Sequence, residues 1–415
     1  MNRFPLKQLG NLHACFLLFA LCLLSFQPAS AQSMLDVFDA VWQRANDHFY
    51  DKNMNGVDWQ AMKARYRPEV AAEQSIEDAA ALINEMLARL QTSHTHFYNE
   101  WDVEYYALLD IFSRGSLADS IRTRFPDGIH YAGIGIFTRC IDGRIFISGV
   151  LAGSPADSAG LQVGDAVLAV DSQPFHPIRS FRGKMGKSVS LRVQKNAEQE
   201  SVVDIAIRPI AIQPGEMLLA AMKNSMRLIE QGDHKIGYVH IWSYAGQQYQ
   251  DALVDAVAFG QLREADALIL DLRDGWGGAN PNYLNLFNTK VPQLSMINRD
   301  GERSTFDFQW RKPVALLINQ GTRSGKETLA FGFKKYGIGK VIGSRTAGAV
   351  TAGRLFWLPG GNLLYLAVQD ALVDGERLEG VGVAPDIEVP FSLPFAQGRD
   401  PQLERAVFEL ANEIQ

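Results

Sequence analysis

Apolar positions along the chain fall into three regimes. From about residue 34 to 112 they recur every three or four places, as at Leu35, Phe38, Val41 and Trp42 and again at Ile83, Met86, Leu87 and Leu90. That spacing lays one stripe along each helix and predicts a helical region. Asp58, just before Trp59, marks the start of another helix. From about 130 to 210 the chain turns to short strands, at 145–147, 166–170 and 190–193, separated by Gly-Asp and Gly-Ser turns. Beyond 213, continuous apolar runs at 236–241, 267–272, 313–318 and 340–342 alternate with helical patterns such as 249–262. Uninterrupted apolar strands between helices predict a sheet covered on both faces. The fold class is therefore multidomain α/β, with a helical N-terminal region, a β-rich domain and an α/β core.

Ahead of the helices stand Arg3 and Lys7, an apolar stretch at 15–26 and the small residues Ala29, Ser30 and Ala31. A basic start, a short apolar core and a small-x-small site make residues 1–31 a secretory signal peptide. The protein is thus expected to be secreted, to the periplasm. The stretch is short for a membrane span, and no later segment reaches about eighteen apolar residues. No stable membrane insertion is expected after cleavage. Losing Arg3 and Lys7, and no acid, moves the net charge from −6 to −8. With no basic run, nucleic acid is not an expected partner. Of three cysteines only Cys140 survives cleavage, which excludes an internal disulfide, and no Cys/His spacing suggests zinc. Cys140, among apolar residues of a strand, is expected in the core.

The chemistry centres on residues 319–327, where an apolar strand gives way to a helix around Ser324. A serine on such a turn lies beside free backbone N–H groups that can hold an oxyanion. A serine there is also an ordinary helix N-cap. If Ser324 is a nucleophile it needs a base, and histidine, with an ordinary pKa of about 6.5, suits that work. The backbone N–H groups of Gly325 and Gly277 are the candidate oxyanion donors, since glycine lets main chain approach a substrate closely.

In the β-rich part, Gly133, Ile134, Gly135 and Ile136, then Ser154-Pro155-Ala156, Ala159-Gly160-Leu161 and Gly164-Asp165 together resemble a PDZ domain. The resemblance implies that the loop 133–136 receives a peptide carboxylate while the peptide adds as a strand. In the last region, Leu270 to Arg273 with Gly277 and Gly278, then 319–327, then Gly380 to Asp386 resemble peptidase family S41, which includes the C-terminal processing and tricorn-type proteases. The domain order implied is signal peptide 1–31, helical domain 32–128, PDZ-like domain 129–212 and catalytic core 213–415.

The processing branch of that family uses a lysine base, but Ala349 stands at its place, and no lysine follows Lys340. The tricorn-type branch carries a histidine in a Thr-Ser-His sequence before the PDZ domain, which Thr92, Ser93 and His94 match. The resemblance therefore implies Ser324 as nucleophile, His94 as general base, Ser93 as the hydroxyl orienting it, and Glu379 as the acid completing a tetrad. It implies a serine peptidase acting on peptides or unfolded proteins, with no metal or organic cofactor. Its activity is expected to fall near pH 6–7 as His94 protonates. A peptide- or ligand-binding protein on the same scaffold, and a hydrolase of non-peptide esters or amides, remain open alternatives. His96 and His240 are expected to be structural, Asp271 to pair with Arg273 or cap a turn, and Lys326 to face solvent.

Overall fold

The computed structural model describes residues 29–198 and 201–414. Most of the expected signal peptide lies outside the described residues; Ala29, Ser30 and Ala31 open the first helix. No helix among the described residues is long and apolar enough to cross a membrane.

The N-terminal region comprises α1 (Ala29–His48), α2 (Trp59–Ala72), α3 (Ile76–Ala88), β1 (His96–Tyr98), α4 (Val103–Ile111) and α5 (Ala118–Arg124). Asp58 caps α2 by accepting the Ala61 N–H at 2.9 Å. The Trp42 and Trp59 indoles each donate to the other's carbonyl, at 2.9 and 3.2 Å, and clamp α1 to α2. Phe38, Val41, Ile83, Met86 and Leu87 are buried together, as their spacing predicts.

The β-rich domain runs through β2 (Tyr131–Gly133), β3 (Ile136–Ile141), β4 (Arg144–Val150), α6 (Pro155–Ser158), β5 (Ala166–Val170), β6 (Gln173–Pro174), β7 (Val189–Gln194), β8 (Val202–Ile207) and β9 (Ile210–Ile212). Its antiparallel sheet has the order β3-β4-β5-β7-β8, with β6 beside β5. β2 and β9 pair antiparallel, so the domain begins and ends at one point. Ser154 caps α6 with Pro155 at the first helical position. Cys140 is exposed, contrary to the expectation of a core thiol. It lies near the end of β3, a strand with one neighbour only, where an apolar sequence context does not secure cover.

The core is built from α7 (Pro214–Ser225), β10 (Arg227–Gln231), β11 (His234–His240), α8 (Gln247–Ala258), β12 (Ala267–Asp271), β13 (Leu294–Ile297), β14 (Arg303–Phe306), β15 (Val314–Ile318), α9 (Gly325–Lys335), β16 (Lys340–Gly343), β17 (Ala352–Trp357), β18 (Leu363–Gln369), β19 (Ile387–Glu388) and α10 (Pro401–Ile414). The main sheet has the order β10-β11-β12-β15-β16-β19, parallel except for β10. Leu268 and Leu270 of β12 pack on the side of α7, α8 and α9, while Ile269 between them packs on the side of α10. Burial on both faces explains the unbroken apolar runs.

β1 joins β18 and β17 in a small antiparallel sheet, with His96 opposite Tyr365. Leu364, Leu366 and Ala367 of β18 complete the apolar cluster of the helical region. The amphipathic helices α1 to α3 thus bury their stripe partly against a hairpin from the core, more than 250 residues later. This pairing delivers residues 93 and 94, just ahead of β1, to the core domain.

Candidate active site

Residues 319–325 turn sharply between β15 and α9. Ser324 takes φ 57° and ψ −133°, a left-handed conformation rare for a residue with a side chain. Its backbone is held on both sides: the N–H donates to the Ala349 carbonyl at 2.8 Å and to Glu327 Oε2 at 3.1 Å, and its carbonyl accepts the Glu327 N–H at 2.8 Å. The main chain and the Glu327 side chain close this helix start. Glu327 is fully buried and also accepts from Thr346 Oγ1 at 2.6 Å and from the N–H groups of Gly348 and Ala349, each at 2.7 Å. The sequence reading missed it, although a Ser followed three places later by Glu at a helix start is a recognisable capping signature.

The turn after β12 lies directly against this one. A Cβ on Gly277 would come within 2.4 Å of Ser324 Cβ, and one on Gly325 within 2.5 Å of the Ala279 main chain. Both positions admit only glycine, and both bring a backbone N–H to the neighbourhood of the Ser324 hydroxyl.

Lys326 corrects the expectation of a solvent-facing side chain: it is fully buried. Its Nζ donates to the Asp274 carbonyl at 2.8 Å, within the turn that carries Gly277. Asn319 holds the same residue from the other side, accepting the Asp274 N–H at 3.1 Å and donating to its carboxylate at 3.0 Å. Asn319 and Lys326 thus fix the spacing between the two glycine turns. Burial is the main reason that the Lys326 amine is lowered to about 7; Asp271 and Asp274 oppose the shift and Arg323 adds to it. Replacing Lys326 with Met is expected to lower kcat about 10- to 100-fold with little change in KM, because the Asp274 carbonyl loses its donor and the Gly277 turn its anchor. Steady-state kinetics beside a thermal melt would check this; an unchanged kcat in a folded variant would contradict it.

Ser93 and His94 sit between α3 and β1, with His94 at φ 52°. Ser93 Oγ lies 2.9 Å from His94 Nδ1 and 2.9 Å from Glu379 Oε2. Glu379, almost fully buried, accepts the Ser93 N–H at 2.7 Å on Oε1. On Oε2 it also accepts the N–H groups of Val350 at 2.8 Å and Thr351 at 3.1 Å. A carboxylate can only accept, and Ser93 has one hydroxyl proton, which goes to Glu379. Ser93 Oγ is then an acceptor for His94 Nδ1–H, which leaves Nε2 unprotonated. Thr351, buried and missed by the sequence reading, completes the network: its hydroxyl is 2.9 Å from Ser93 Oγ and 3.3 Å from His94 Nδ1. The segment 348–353, where the resemblance puts a lysine in the other branch, here supplies the N–H groups and hydroxyl around Glu379 and His94.

Burial lowers the His94 imidazole to about 4; Glu379 raises it and Arg323 lowers it further. That moves protonation well below the pH 6–7 expected from an ordinary histidine. The ring meets Tyr365 edge-on at 5.1 Å.

His94 and Ser324 line one cavity of about 490 Å³, together with Ser93, Gly277, Arg323 and Ala349. Among the described residues no direct hydrogen bond joins the two side chains. Lys326 is not in the cavity lining. His240 stacks on Trp242 at 3.7 Å and bonds the Arg273 carbonyl at 3.0 Å, while buried Asp271 pairs with Arg273 and accepts from Tyr238 Oη at 2.9 Å.

Gly133 ends β2 and Ile136 opens β3. The carbonyls of Ile134 and Gly135 accept the N–H groups of Ala156 and Leu151, each at 2.9 Å. β3 is an edge strand whose Phe137 stacks on Trp242 at 5.3 Å and whose Arg139 reaches Asp274 at 3.4 Å.

Residues 235–389 match the profile of Peptidase family S41, residues 30–88 that of the Tricorn protease C1 domain, and residues 146–195 that of the PDZ domain. A Carboxyl-terminal-processing protease of Synechocystis is 25% identical over 379 residues, covering 87% of this chain and 82% of that protein. Tricorn protease homolog 1 of Streptomyces coelicolor is 27% identical over 404 residues, covering 89% of this chain but only 34% of that protein. The crystal structure of the tricorn protease superposes with a TM-score of 0.55 at 19% identity, over 92% of this chain and 37% of that one. This last likeness is one of fold.

Proposed function

We propose that this chain, with its match to the peptidase family S41 profile and its PDZ domain match, is a secreted serine endopeptidase in which Ser324 is the nucleophile and His94 the general base. The observation that carries the proposal is the fixed chain Glu379–Ser93–His94, which leaves the imidazole Nε2 free as an acceptor on the same cavity as Ser324.

In this reading Nε2 takes the Ser324 proton as Oγ bonds to the scissile carbonyl carbon. The oxyanion is held by the N–H groups of Gly277 and Gly325, each such donor being worth roughly 3 kcal/mol in the transition state. The imidazolium then protonates the departing amine as the C–N bond breaks, leaving an acyl group on Ser324. Water, deprotonated by the same nitrogen, hydrolyses the ester. Glu379 and Ser93 hold the tautomer and stabilise the imidazolium; Thr351 steadies Ser93. Substrates are peptides or unfolded proteins, and the PDZ domain positions them through the 133–136 loop and the free edge of β3. Secretion rests on the signal-like residues 1–31.

The pH profile tests this reading. Only neutral His94 can act as base, and its protonation is displaced from 6.5 to about 4. kcat/KM for a peptide is therefore expected to hold through pH 6 and to fall as pH drops through about 4. An acid limb at an ordinary histidine value, or none at all, would argue against His94 as the buried base.

A further inference from the structure

Tyr365 of β18 pairs with His96 in the small antiparallel sheet and lines the same cavity as His94 and Ser324. Its ring is caught between two others. It meets the His94 imidazole at 84° with centroids 5.1 Å apart, and the ring of Phe112, one residue past α4, at 62° and 5.6 Å. On the β17 side it lies over Gly353. A Cβ at that position would come within 2.4 Å of ring carbons Cε2 and Cζ and within 2.7 Å of the hydroxyl oxygen. Carbon atoms in ordinary contact stand about 3.5 Å apart or more, so any larger residue would push the ring aside. The Gly353 backbone is not in the left-handed region. Room for the Tyr365 ring, and not backbone strain, is therefore what demands glycine there.

His94 has need of such a neighbour. Ser93 Oγ at 2.9 Å and Thr351 Oγ1 at 3.3 Å hold its Nδ1. Those contacts fix one corner of a planar ring and leave the ring free to tilt about that corner. Nε2, which must reach the Ser324 proton, lies beyond their hold, and a small misplacement of a reacting group is costly. We infer that Tyr365 is a positioning residue: its ring, seated over Gly353, sets the tilt of the His94 imidazole and with it the aim of Nε2 at Ser324. This rests on the reading of His94 as the base. The same ring covers His94, and burial is the main reason that the imidazole is lowered to about 4. Glu379 and Arg323 are the charged groups that act on His94, and both stay in place when Tyr365 is changed.

Three changes in the full-length protein test the assignment: Tyr365→Phe, Tyr365→Leu and Gly353→Ala. Each is read by peptide kinetics across pH and by ¹⁵N NMR of the His94 imidazole, identified by its absence in His94→Ala. Tyr365→Phe keeps the ring and is expected to match the parent. Tyr365→Leu is expected to lower kcat about tenfold with KM changed by less than about twofold. It should also move the acid limb and the imidazole titration up by about one pH unit or more, from about 4 toward 6.5. Gly353→Ala should act in the same direction. Adding it to Tyr365→Leu should cost little more, because no ring is left to displace. If Tyr365→Leu does not fold, Gly353→Ala carries the test. Parent-like kcat in a folded Tyr365→Leu or, failing that variant, in Gly353→Ala would overturn the assignment while leaving the peptidase reading intact. So would a Tyr365→Phe variant as slow as Tyr365→Leu, or losses that multiply in the double variant. No hydrolysis by the parent protein would instead overturn the peptidase reading, and this one with it.

Discussion

Replacing Ser324 with alanine is expected to lower kcat/KM for peptide hydrolysis by about 10⁴-fold or more, with a nearly unchanged thermal midpoint. The size follows from covalent catalysis: without an Oγ, neither the base nor the oxyanion donors have an attacking atom to serve, and what remains is binding and polarisation alone. Stability is spared for local reasons. Glu327 and the Ala349 carbonyl hold the turn through the Ser324 main chain, which alanine keeps. Alanine at φ 57° is strained in the same way as serine, so the exchange adds no new backbone cost. Peptide kinetics with differential scanning fluorimetry would check both halves. A variant that hydrolyses peptides at the parent rate would remove Ser324 from the mechanism.

The second large effect is expected from Glu379→Gln, at about 10²- to 10⁴-fold in kcat. Glu379 is met by donors alone: the Ser93 N–H on one oxygen, and the Ser93 hydroxyl and the Val350 and Thr351 N–H groups on the other. An amide has one acceptor and two donors of its own. With its NH2 on the crowded side, the Ser93 hydroxyl must turn and donate to His94 Nδ1. The ring then carries its proton on Nε2, the wrong atom for a base. With its NH2 on the other side, it opposes the Ser93 N–H and displaces the main chain that carries His94. Either arrangement lowers kcat more than it raises KM. Equal kcat in the folded variant would show that Ser93 and His94 need no carboxylate.

Much of this arrangement was legible in the sequence. β12 and β15 stand out as uninterrupted apolar runs because both of their faces are covered, and Asp58 marks α2 because a carboxylate caps its first N–H groups. Ser324 and Gly325 are readable as a strand-to-helix turn and Gly277 as part of a second glycine turn, and the structure packs the two turns against each other. The rest was hidden for reasons of distance. β1 is three residues long and takes its place from β18, so no local pattern announces the sheet that carries His94 to the core. Lys326 looked solvent-facing because helix periodicity sets it off Ser324, yet it is sealed by a turn some fifty residues earlier, which periodicity cannot see. Thr351 has no motif of its own; its value comes from Ser93 and Glu379, distant in sequence on either side.

His94 also shows how burial changes a chemical expectation. Its identity as a histidine suggests a switch near neutral pH, whereas its enclosure keeps it neutral to about 4. The imidazole is thus kept in its basic form across the physiological range, at the cost of a weaker base, and in the proposed mechanism Ser93 and Glu379 supply the stabilisation that the imidazolium needs once it forms.

The pairing of Ser324 with His94 is most directly tested by treating the folded protein with a fluorophosphonate and locating the adduct by peptide mass mapping. One phosphonyl group on Ser324 is predicted, formed at least about a hundredfold more slowly in a folded His94→Ala variant. An adduct on another residue, or labelling of Ser324 at the same rate without His94, would contradict it.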